Sequence, residues 1–177
     1  MIAAGMTTSV LERWNALDLD DASPEILPCC GSETWAHNVA ERRPLLDHAD
    51  LLAASHAAFA DLTQADWEQA FQSHPRIGEQ HAQGPATHPS LAWSRAEQNS
   101  ADADDERIAR LLREGNQAYE ARFGHIFLVC AAGRSRAEIL ETLNLRLGND
   151  SETEQTMARA EQERITALRL DRWLAGA

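Results

Sequence analysis

Two short segments hold the residues best suited to proton chemistry. In Gln72-Ser73-His74-Pro75-Arg76-Ile77-Gly78-Glu79, Pro75 pushes His74 out of the α conformation just where a helix carrying Trp67, Ala70 and Phe71 must finish. A histidine at that position faces the negative end of the helix macrodipole. That favours imidazolium and lifts the pKa toward the range where one ring both donates and accepts protons near neutrality. The competing reading is a helix-stop histidine open to water. In Ser94-Arg95-Ala96-Glu97-Gln98, helical spacing sets Ser94, Glu97 and Gln98 on one face. A hydroxyl, a carboxylate and an amide converging there would orient a histidine and grip an amide-rich ligand, unless the face is simply solvated.

Two further features suit ligand binding. The continuous apolar run from Ile126 through Ala132, too short for an ordinary helix, reads as buried extended backbone. Within it, Phe127, Leu128, Val129, Cys130 and Ala131 would leave amide and carbonyl groups that a helix would have satisfied internally. A ligand rich in N–H and C=O groups would pair with them, as would a neighbouring segment or water. Arg169, in Leu168-Arg169-Leu170, stands between apolar residues, where it would anchor an anion bidentately or snorkel at the surface. The recurrence of His74, His81 and His88 every seven residues is not read as a metal site, because the loop-like composition from Glu79 to Pro89 removes any shared helical face. Cys130 reads as a packed thiol rather than a nucleophile.

Helices must position all of this. Ser23-Pro24 reads as a cap and first turn, opening a helix that runs to Cys30 and stops at Gly31; Ser32 caps the next, which ends before Arg43-Pro44. A helical stripe of Leu51, Leu52, Ser55, Phe59 and Leu62 follows, and Thr63 with Asp66 opens the helix that delivers His74. Residues 79–89 read as a loop and Ser90 to Glu97 as a short helix. A long helix from about Ala103 to Phe123 stops at Gly124, and Ser135-x-x-Glu138 and Ser151-x-x-Glu154 are capping boxes for two more helices, the second running to about Leu174. The expectation is all-α, one domain over residues 1–177, with eight or nine helices, no sheet and a disordered start.

Totals limit the partners. The 177 residues suffice for one domain, and the hydrophobic share of 44%, with five tryptophans, is enough for a core. A net charge of −12 disfavours nucleic acid and anionic membrane surfaces. Three cysteines without a paired spacing fit neither a disulfide framework nor a zinc site, and no stretch reads as a secretory signal or membrane span. A cytoplasmic protein is expected.

In order along the chain, Trp35 with Arg43-Pro44, His74-Pro75-Arg76-Ile77-Gly78, Ser94-x-x-Glu97-Gln98, Asn116 with Tyr119 and Phe123-Gly124, Phe127 to Ala131, Arg146-Leu147 and Leu168-Arg169-Leu170 resemble the 2-oxo-4-hydroxy-4-carboxy-5-ureidoimidazoline (OHCU) decarboxylases of uric acid degradation. The resemblance implies an all-α homodimer that makes (S)-allantoin without metal or organic cofactor. It implies His74 as proton donor and Glu97 as its catalytic companion. Substrate contacts would fall to Pro75, Ser94, Arg95, Ala96, Glu97, Gln98, the backbone of Phe127 to Ala131, and Arg169. Glu97 would favour the imidazolium of His74. A catalytically silent helical ligand-binding or interaction module, or a ureide hydrolase with an activated water, are the readings that compete with it.

Overall fold

The computed structural model describes residues 9–77 and 106–176. The Glu79 to Pro89 segment, the expected helix from Ser90 and the whole Ser94 to Gln98 motif lie outside the described residues. Among the described residues every regular element is a helix: α1 Val10–Asn15, α2 Leu19–Cys30, α3 Glu33–Glu41, α4 His48–Ala60, α5 Gln64–Gln72, α6 Glu106–Phe123, α7 Arg136–Arg146 and α8 Ser151–Leu174.

Local side chains account for most of the boundaries. Ser32, Thr63 and Ser135 cap α3, α5 and α7, and the latter two close full capping boxes with Asp66 and Glu138. Three starts differ from the sequence reading. Ser9 with Glu12 forms a capping box for α1, a helix the apolar pattern did not reveal. The cap of α8 is Asp150, one residue before Ser151, accepting from the Thr153 N–H. Helix α2 begins at Leu19 under an Asp18 cap and runs straight through Pro24 and Pro28, so Ser23 is interior and its hydroxyl bonds back to the Leu19 carbonyl (3.0 Å). An interior proline costs a helix about 3 kcal/mol. Burying Ala22, Ile26, Cys29 and Cys30 along one face offsets that, at roughly 1.5–3 kcal/mol for each large side chain.

Gly31 ends α2 with φ +88°, and a Cβ there would stand 2.1 Å from the Ser73 hydroxyl. Both the backbone conformation and the close approach need glycine. That approach sets the end of α5, and so His74, against the end of α2. The arginine–proline peptide Arg43-Pro44 is cis.

The buried apolar residues form two cores. The larger joins α1 to α5 with α8, through a ring ladder from Trp35 to Phe59 (5.9 Å), Trp67 (5.2 Å) and Phe71 (6.0 Å), and through an edge contact of Trp14 with Trp173 (5.4 Å). The smaller joins Ile77 to α6, α7 and the segment after α6. That segment runs between the two: Ile126 and Leu128 belong to the first core, Phe127, Val129 and Ala131 to the second. Alternation between opposite sides is the signature of extended backbone, as expected from the sequence. No described helix is long and apolar enough to cross a membrane.

Candidate functional site

His74 follows the last turn of α5, its N–H bonded to the Phe71 carbonyl at 3.1 Å. It is not a water-facing stop: it is 4% exposed, and Pro75 behind it is buried. The chain beyond is tied to α6, where Arg76 grips Glu120 with two bonds (Nη2 to Oε2 2.8 Å) and Asn116 donates to the Ile77 carbonyl (3.3 Å).

Facing His74 is α8. Arg169 is fully buried, which overturns the snorkelling alternative; its Nη2 lies 3.4 Å from His74 Nδ1 and its Nη1 3.4 Å from the Pro28 carbonyl. Guanidinium has donors only. Nδ1 is therefore the acceptor, and the neutral ring carries its proton on Nε2. Burial first, and then the Arg169 cation, hold the His74 pKa well below its ordinary 6.5; the Gln162 amide beside the ring works in the opposite direction and is outweighed. The expected rise from the helix dipole is thus corrected. Desolvation of a buried charge and a guanidinium in contact exceed a helix-end effect of about 0.3–1 kcal/mol.

Gln162 is also fully buried, and its Nε2 is committed to the Cys30 carbonyl and the Thr166 hydroxyl, both at 3.2 Å. Among the described residues its Oε1 and the His74 Nε2 have no hydrogen-bond partner. An unpaired donor and acceptor, both buried, are the groups a polar ligand would satisfy. Cys29 and Cys30 line the same interior as neutral thiols, because burial pushes Cys30 up to about 12 and Cys29 higher still. None of the three cysteines is joined in a disulfide, and Cys130 packs against the larger core.

The extended segment is held from one side. The Leu128 carbonyl accepts from Arg146 Nη1 (2.6 Å), and the Cys130 N–H donates to Glu161 Oε2 (2.8 Å). Arg146 is itself locked by Glu154 (Nε to Oε1 2.7 Å), which also takes bonds from the Tyr119 hydroxyl and Asn149. Glu154, Glu161 and Gln162 escaped sequence reasoning as site residues. Their signal is nonetheless visible: with Thr166 and Arg169 they put polar groups on the face of α8 that Ala158, Ile165, Leu170 and Trp173 mark as inward.

The structure therefore brings His74 and Arg169 into contact, and the same helix α8 reaches the Phe127 to Ala131 segment through Glu161. Ser94, Arg95, Ala96, Glu97 and Gln98 lie outside the described residues, as do His81 and His88. Among the described residues no cluster of His, Cys, Asp and Glu has the arrangement of a metal site. Clefts lined by Asn15, Arg43 and Pro44, and by Gln64, Phe71 and His125, include neither His74 nor Arg169.

Comparison with known proteins gives this geometry a family context. Residues 15–171 match the family model described as OHCU decarboxylase. The chain is 36% identical over 152 residues to the 2-oxo-4-hydroxy-4-carboxy-5-ureidoimidazoline decarboxylase of Amia calva, covering 82% of this chain and 80% of that one. It is 35% identical over 144 residues to the "uric acid degradation bifunctional protein TTL" of Arabidopsis thaliana, covering 80% of this chain but only 44% of that longer protein. Its backbone superposes with a TM-score of 0.72 on a crystal structure of OHCU decarboxylase in the presence of (S)-allantoin, at 30% identity, covering 85% of this chain and 97% of the other.

Proposed function

This chain belongs to the OHCU decarboxylase family, and from that membership we propose that it decarboxylates 2-oxo-4-hydroxy-4-carboxy-5-ureidoimidazoline to (S)-allantoin, with His74 and Glu97 as its catalytic pair. The observation that carries the reading is the contact of Arg169 with His74: a buried cation and a neutral imidazole, side by side, suit a small anion that must also receive a proton.

When the bond from ring carbon to carboxylate breaks, carbon dioxide leaves and the electron pair passes into the conjugated ring. A proton must then reach one face of that ring. Arg169 binds the substrate's negative charge. In doing so it loses much of the positive field it exerts on His74, so His74 becomes a better proton carrier with substrate in place than without it. Glu97 adds to this as the carboxylate partner. Proton delivery from one side sets the handedness of the product. Pro75, Ser94 to Gln98 and the backbone of Phe127 to Ala131 form the rest of the substrate contacts. The protein acts as a cytoplasmic homodimer, in line with the family resemblance and with three cysteines that form no disulfide.

The test follows freshly generated OHCU by circular dichroism, with a chelator present. Rapid appearance of one allantoin enantiomer is expected. Racemic product at the spontaneous rate would defeat the reading, and loss of activity on chelation would move it to metal-assisted hydrolysis.

A further inference from the structure

In extended backbone the N–H and C=O of one residue point to the same edge, and those of the next residue to the other. Leu128 and Cys130 share an edge, and that edge is occupied, by Arg146 at the first and Glu161 at the second. Phe127 and Val129 share the opposite edge. Both residues are buried, at 2% and 4% exposure, yet among the described residues their N–H and C=O groups have no hydrogen-bond partner. Buried backbone polar groups are nearly always paired, so this edge calls for a partner of its own. Side by side, an N–H and a C=O form an amide-like face, which suits the adjoining N–H and C=O groups of a ureide.

We infer that Arg146 and Glu161 are positioning residues, which pin the back edge of the 126–131 segment so that the Phe127 and Val129 backbone is presented to the substrate's ureide groups. This rests on the decarboxylase reading above and deepens it, by naming which of the segment's backbone groups bind and what holds them still. Glu161 is well placed for such a task. Its other oxygen is bound by Arg164 (2.6 Å), and one turn further along the same inward face α8 supplies Ile165 and Thr166, leading to Arg169 beside His74. One rigid helix thereby sets the distance between the backbone edge and the proton-handling group.

Glu161→Ala removes the acceptor for the Cys130 N–H, whereas Glu161→Gln keeps an acceptor oxygen of the same reach. With the full chain and OHCU as substrate, Glu161→Ala is expected to lower kcat/KM by about 10- to 100-fold, mainly through KM, and Glu161→Gln to stay within about threefold of wild type. Amide hydrogen exchange at Cys130 reads the tether without turnover: it should be fast in Glu161→Ala and protected in wild type and Glu161→Gln. A folded Glu161→Ala protein with unchanged KM, a Glu161→Gln protein as impaired as Glu161→Ala, or equal Cys130 protection in all three would overturn the inference. Wild-type protein that leaves OHCU to decay spontaneously would instead defeat the decarboxylase reading, and this inference with it.

Discussion

Two stretches of α8 face the same interior with opposite chemistry. At its C-terminal end Leu170 and Trp173 are apolar, and Trp173 meets Trp14 edge to face. From Glu154 to Arg169 the inward face is largely polar, with Glu154, Gln162, Thr166 and Arg169 fully buried. Burial of apolar rings is stabilising in proportion to area. Burial of charges is not: their desolvation roughly cancels their mutual attraction, so a buried ion pair is poor evidence of stability. The polar stretch fixes the contacts of Arg146, the Cys130 N–H and His74, while the apolar end packs the helix against α1.

That contrast can be broken from either side. His74→Ala, on the polar side, should reduce turnover about 10²- to 10⁴-fold while leaving helical content intact, as removal of a general acid or base typically does. Stereoselective allantoin formation checks it, and activity within a few-fold of wild type would remove His74 from the chemistry. Trp14→Ala, on the apolar side, should cost about 3–5 kcal/mol of stability, since Trp14 is fully buried and donates to the Ala22 carbonyl. Denaturant unfolding measures it. Below the unfolding transition its kcat/KM per folded molecule should match wild type, and a parallel loss of turnover would show that the two stretches are not separable.

The smallest effect is on pH. The folded protein holds His74 neutral because its pKa is depressed, whereas the unfolded chain takes up that proton as pH falls through about 6.5. The unfolded state binds more protons in that window, so stability falls as pH drops below 6.5, by at most about 1.4 kcal/mol per pH unit from this one group. Melting temperatures from pH 7.5 to 5.5 should decline less steeply in His74→Gln than in wild type. Equal slopes would mean that His74 is charged in the folded state.

Much of the fold was legible because its determinants are local. Ser32, Thr63 and Ser135 each accept a bond from an N–H three residues on, and Gly31 and Gly124 each take a positive φ at a helix end. Helix α2 departs from the Ser23-Pro24 reading for a mixed reason: its start is a local cap, Asp18 accepting from the Asp21 N–H, but its run through Pro24 and Pro28 depends on how much its inward face buries against α3 and α8, which no local rule weighs. The short α1 was missed although Ser9 and Glu12 form its capping box, because six residues show too little of an apolar stripe.

By itself, then, the sequence determined the helical class, most helix ends, the extended run after Gly124 and, through the order of its motifs, the family and the identities of His74, Glu97 and Arg169 as candidates. Only the tertiary structure decided the protonation state of His74, the tautomer imposed on it by Arg169, and the clamp of Arg146 and Glu161 on the extended segment. Caps and turns act between residues a few positions apart. Arg169 meets His74 from 95 positions away and Glu161 meets Cys130 from 31, and the loss of water around a buried ring depends on every helix packed against it.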